Sequence, residues 1–105
     1  MGKITGKVLD LKSYVKYHEG SVVSKEIIKN EKGNVTLFSF DKGEGLSEHT
    51  SPYDAMVYIL DGRAEIKISG RGHNLKEGEM IIMPKNKPHA LYAEEPFKMM
   101  LVMIR

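Results

Sequence analysis

Cysteine, tryptophan and glutamine are missing altogether from the 105 residues. Without thiols there is no disulfide framework, no thiolate metal site and no cysteine nucleophile. Long hydrophobic runs are missing too. The two longest, Ala55–Leu60 and Met99–Ile104, have six residues each, against the roughly 18 that a membrane-spanning helix needs. The first twenty residues carry Lys3, Lys7, Asp10, Lys12, Lys16 and Glu19 with no apolar core. No secretory signal is therefore visible, and a cytoplasmic location away from any membrane is expected. Neither sign of charge dominates: 16 Lys+Arg against 14 Asp+Glu leave a net charge of +2. With no basic–aromatic stripe and no helix-turn-helix pattern, no nucleic-acid partner is expected.

What is present is β-forming sequence cut short by turns. Val22–Ile28 reads as a β-rich run, with Gly33-Asn34 as a tight turn before Val35–Phe40. Asp41–Ser47 is a Gly-rich loop, and Ala55–Leu60 is a buried strand. Asp61-Gly62 signals a hairpin into Ala64–Ser69, where Ala64, Ile66 and Ile68 alternate with Glu65, Lys67 and Ser69. Gly70-Arg71-Gly72 turns again. His73–Leu75 and Met80–Met83 flank the Glu77-Gly78 turn, and His89–Ala93 and Phe97–Ile104 complete the set. Only the stretch 8–17 suits a short helical turn. Strands every 8–12 residues, without βαβ alternation, predict an all-β sandwich or barrel, in a single domain over residues 1–105. A domain this size buries only about 60–70% of its unfolded surface and gains from self-association.

Two segments then resemble the paired motifs of the cupin family. Gly43-Glu44-Gly45-Leu46-Ser47-Glu48-His49-Thr50-Ser51, continuing to Gly62, resembles the first: Gly, five residues, His-x-His, a few residues, Glu, six residues, Gly. Gly78 to His89, through Pro84 and Pro88, resembles the second: Gly, five residues, Pro-x-Gly-x-x-His. The resemblance implies a single cupin barrel, a jelly roll or double-stranded β-helix, with core motifs at 43–62 and 78–93 and N-terminal strands within 1–40. It also implies a metal centre built from two His and a Glu of the first motif and the His of the second. Here His49 and His89 match, but Ser51 stands at the second His and Ala55 at the Glu. The implied metal ligands are thus His49 and His89 alone, for one divalent transition ion such as Zn, Ni, Fe, Mn or Cu.

Strand parity puts His49 with Ser51, Ala55 with Val57, and His89 with Leu91 and Ala93 on shared faces, which the resemblance implies are those lining the barrel interior. The expected ligand pocket is formed by His49, Ser51, Ala55, His89 and Leu91, with Val57, Ile66 and Ala93 also lining it. Asp54 is expected as a solvated loop acid, and His18 and His73 as solvated. The Lys85-Asn86-Lys87 cluster reads as a solvated turn, and the methionines as packing residues. Phe97–Ile104 is apolar on both parities, which points to a homodimer. The function expected is a small cupin that binds a small molecule or a loosely held divalent metal in its barrel. The alternative is a metal-dependent isomerase or dioxygenase acting on a sugar or small organic acid. A metal-free enzyme with one His as general base is a third reading, which lacks an orienting carboxylate.

Overall fold

The computed structural model describes residues 3–105. After a single helical turn, α1 (Leu11–Tyr14), eight strands follow: β1 (Val22–Asn30), β2 (Gly33–Phe40), β3 (Gly45–His49), β4 (Asp54–Ile68), β5 (Arg71–Lys76), β6 (Met80–Met83), β7 (His89–Tyr92) and β8 (Phe97–Ile104). All pairings are antiparallel. One sheet runs β1-β2-β8-β4-β6, and the other β3-β7-β4-β5. The fifteen-residue β4 belongs to both. Its first half pairs with β8 and β6, and its second half with β7 and β5. This is the single all-β antiparallel barrel expected, closed by one strand that crosses from sheet to sheet.

That crossing corrects the hairpin expected at Asp61-Gly62. The chain does not reverse there; β4 bends, with a register shift between Ile59 and Asp61 and Gly62 at φ +76°. A hairpin of the expected type needs two consecutive residues at positive φ, whereas a bulged bend needs one. A Cβ at position 62 would collide with the Pro96 carbonyl and with Phe97, so glycine is required on two counts. The true two-residue hairpin is Ser69-Gly70, at φ 51° and 79°, between the paired Ile68 and Arg71. Arg71 and Gly72, expected in a turn, lie in β5.

Two other boundaries move. The β1–β2 turn is Glu31-Lys32 rather than Gly33-Asn34, because Asn30 Oδ1 accepts the Lys32 N–H at 2.8 Å and caps the turn. The loop expected over Asp41–Ser47 ends at Glu44, since Gly45 already pairs with Tyr92 of β7.

Inward side chains of both sheets make the core. At the end near the β4 bend, Phe40 and Phe97 stack with ring centroids 4.5 Å apart, packed with Val57, Ile59, Ala64 and Ile66. The opposite end carries the site. The outer face of β2 and β8 is partly roofed by residues 11–17. Ser39 Oγ donates to the Lys16 carbonyl at 2.7 Å. The buried Lys98 Nζ donates to the Lys12 carbonyl at 2.6 Å and lies over the Tyr17 ring. Tyr17 in turn donates its hydroxyl proton to Asp61 at 2.7 Å. A lysine can be buried here because its ammonium finds a carbonyl and an aromatic face.

Candidate ligand and metal site

His49 ends β3 and His89 begins β7, and the two are directly paired across the strands. His89 is buried, at 4% exposure, while His49 keeps contact with solvent. Their Nε2 atoms face each other at 3.1 Å. The other nitrogen of each ring meets a backbone carbonyl: His49 Nδ1 with Ser47 O at 2.7 Å, and His89 Nδ1 with Lys87 O at 3.1 Å. A carbonyl oxygen can only accept, so each Nδ1 carries the proton and donates it. In two neutral rings both Nε2 atoms are then bare lone pairs, aimed at each other across 3.1 Å. Two acceptors at that separation are stabilised by a cation that bridges them. A shared proton supplies one; so does a metal ion. Carbonyl-anchored Nδ1–H groups are also the usual outer support of metal-ligating imidazoles, fixing tautomer and ring direction. Burial, and secondly the facing His49, hold the His89 imidazole below its ordinary value, while the bond to the Lys87 carbonyl works the other way.

The pair sits at the head of a cavity of about 270 Å³. Ser51, Ala55 and Leu91 line it as the sequence implies. Val57, Ile66 and Ala93 do not; they lie in the packed core. Parity assigns a residue to a face but says nothing of depth along the barrel, and these three sit deeper. The rest of the wall comes from Phe38, Leu46, Met83, Met99, Leu101 and Met103, none of which the motifs mark. The signal was available in β2 and β8, where Phe38 alternates with the outward Leu37 and the odd-numbered residues of 97–103 share one face.

Ser51 Oγ accepts the Tyr53 N–H at 3.2 Å, and the Ser51 carbonyl accepts the Asn86 N–H at 2.7 Å. Asp54 is exposed in the first position of β4, and its Oδ1 accepts the Lys85 N–H at 3.0 Å. It thus holds the exposed turn 84–88 rather than facing the pocket. His18 is exposed. His73, expected in solvent, is half-buried in β5, with Nδ1 3.3 Å from the Ile66 carbonyl directly across the ladder. Among the described residues, no group of three or more His, Asp or Glu side chains is placed to hold a metal ion. No helix among them is long and apolar enough to cross a membrane.

Comparison with known proteins decides the family. The family model described as "Cupin domain" matches residues 36–105. The chain is a cupin. A conserved protein of unknown function from Streptococcus pyogenes is 43% identical, with a TM-score of 0.91 over 95% of this chain and 88% of that one. A cupin 2 conserved barrel domain protein from Leptotrichia buccalis is 40% identical, with a TM-score of 0.90 over 92% of this cupin but only 47% of that longer chain. An uncharacterized protein of Aquifex aeolicus is 33% identical over 79% of this cupin and 70% of its own length. None of these relatives brings an activity with it.

Proposed function

We propose that this cupin is a small-molecule-binding barrel in which His49 and His89 hold one divalent transition ion loosely at the head of the pocket. The observation that carries the reading is the 3.1 Å approach of two Nε2 atoms whose rings are both anchored through Nδ1. Two imidazoles on adjacent corners of one ion, each about 2.0–2.1 Å away, stand roughly 2.9–3.4 Å apart, the separation the two Nε2 atoms already have. Ligation needs only that both rings turn their lone pairs toward an ion beside the line joining them. Two protein ligands leave the remaining positions to water or to the bound molecule. When bound, such an ion supplies a Lewis-acidic point at which an oxygen of the guest can rest.

The enzyme alternative, an isomerase or dioxygenase, is supported less well. A catalytic ion is ordinarily held by about three protein ligands, and Ser51 and Ala55 occupy the two places where further ligands belong. No carboxylate borders the cavity among the described residues, so neither imidazole has an orienting acid for proton transfer. Binding, rather than turnover, fits the residues present.

Titration of metal-free, untagged protein with Zn²⁺ and Ni²⁺ by calorimetry, backed by elemental analysis, tests this. One ion per chain at micromolar affinity is expected, lost in His49→Ala and in His89→Ala. No binding, or binding unchanged in both variants, contradicts the reading.

A further inference from the structure

The cavity wall is chemically lopsided. Its polar atoms come from His49, His89 and Ser51 at one end, and every other wall residue is apolar. Ser51 Oγ accepts the Tyr53 N–H and keeps its own O–H to donate. A guest therefore meets one polar end, the histidine pair with the Ser51 hydroxyl, and otherwise only Leu, Met, Phe and Ala surface. A polyhydroxylated guest would bury hydroxyls against thioethers and methyls, where each loses its water hydrogen bonds without replacement. An ammonium-bearing guest would find no Asp or Glu beside it and a cation facing it.

Resting on the reading of His49 and His89 as a cation-holding pair, we propose that the pocket takes an apolar monocarboxylate. This is an aromatic or branched-chain acid of about six to ten carbons, its carboxylate against that cation. The size follows from volume. A cavity of about 150 Å³ suffices for benzene, so 270 Å³ accommodates one ring or branched chain with its carboxylate, and not two rings. Met83, Met99 and Met103 suit either shape, since thioether side chains adjust to irregular guests and make favourable sulfur–aromatic contacts.

The test uses the whole protein with ¹³C-methyl-labelled methionine, metal-free and zinc-loaded, titrated with phenylacetate and 4-methylpentanoate. Saturable shifts of the Met83, Met99 and Met103 methyls are expected. Met56 and Met80, which point to the outer face of the sheet, should stay still. Gluconate, with the same head and a polar body, and benzyl alcohol, with a similar body and no charge, should each bind at least tenfold more weakly. Ala55→Leu, which fills the cavity and leaves both histidines, should lose phenylacetate at least tenfold while still taking up one zinc ion per chain, which also reports that it is folded. Gluconate or benzyl alcohol binding as well as phenylacetate, or equal shifts at Met56 and Met80, overturns the proposal. Zinc held by the two histidines with no shift at the three methyls overturns the ligand class alone. Phenylacetate binding that is unaltered in His89→Ala contradicts the histidine pair as its anchor.

Discussion

Position 55 is where a single side chain decides what the pocket can hold. Ala55 is almost wholly buried in the wall, between Met83 and Met103 on the neighbouring strands. Ala55→Glu should raise zinc affinity at least tenfold, the order by which ligand-shell changes alter metal sites. Without metal it should cost about 2 kcal/mol or more of stability, because an unpaired carboxylate is then buried. Calorimetry and denaturant melts with and without zinc check both halves. An affinity unchanged by the carboxylate would mean that Ala55 does not face the ion. At this scale much was legible: the motif spacing and strand parity brought His49, Ser51, Ala55, His89 and Leu91 to one cavity. The hydrogen bonds from Nδ1 were not legible, because the carbonyls of Ser47 and Lys87 turn toward the rings only through local backbone geometry. Nor was the half-burial of His73, which follows from its seat opposite Ile66.

Among the elements, β4 and the segment 11–17 carry most of what pattern reading missed. Asp-Gly permits positive φ equally in a reversal and in a bend. Only long-range pairing, β8 and β6 on one half and β7 and β5 on the other, selects the bend. The bend places Asp61 beside the N-terminal segment, where it accepts the Tyr17 hydroxyl and pairs with Lys12 at 3.4 Å. Its carboxyl is held below the ordinary 3.8, chiefly by the Tyr17 hydroxyl and then by Lys12, against the opposing effect of burial. A depressed carboxylate contributes stability that is complete above its unfolded value and is lost as pH falls through the folded one. Asp61→Asn should therefore be less stable than the parent at pH 6, and the difference should shrink below pH 3.8. Denaturant midpoints of both proteins across that range test it. A constant gap would show that Asp61 does not anchor the segment through its charge.

For the molecule as a whole, one face stands open. The register aligns Val35, Val102, Met56 and Ile82 in one outward row across four strands, and Leu37, Met100, Tyr58 and Met80 in the next. Residues 11–17 roof the β2 side of this face, but Ile82 is 55% exposed and Met80 46%. Contiguous apolar surface of this kind marks an interaction site, and we propose a second copy of the chain as its occupant. Sedimentation at high micromolar concentration should give a dimer, and Ile82→Glu a monomer with an unchanged fold. A monomeric parent protein would refute the dimer. The two apolar parities of β8 that prompted this expectation have a double origin: Lys98 is covered within the chain, while Ile104 and the β6 side are not.

Everything proposed for the site depends on a cation between two Nε2 atoms. Long-range ¹H–¹⁵N spectra of the imidazole nitrogens, recorded as metal-free protein is titrated with zinc, observe it directly. Both rings should carry their proton on Nδ1 before zinc is added, and the Nε2 resonances of His49 and His89 should move together and saturate at one ion per chain. A protonated Nε2 with a bare Nδ1 in either ring, or a zinc titration that moves one ring and not the other, would contradict it.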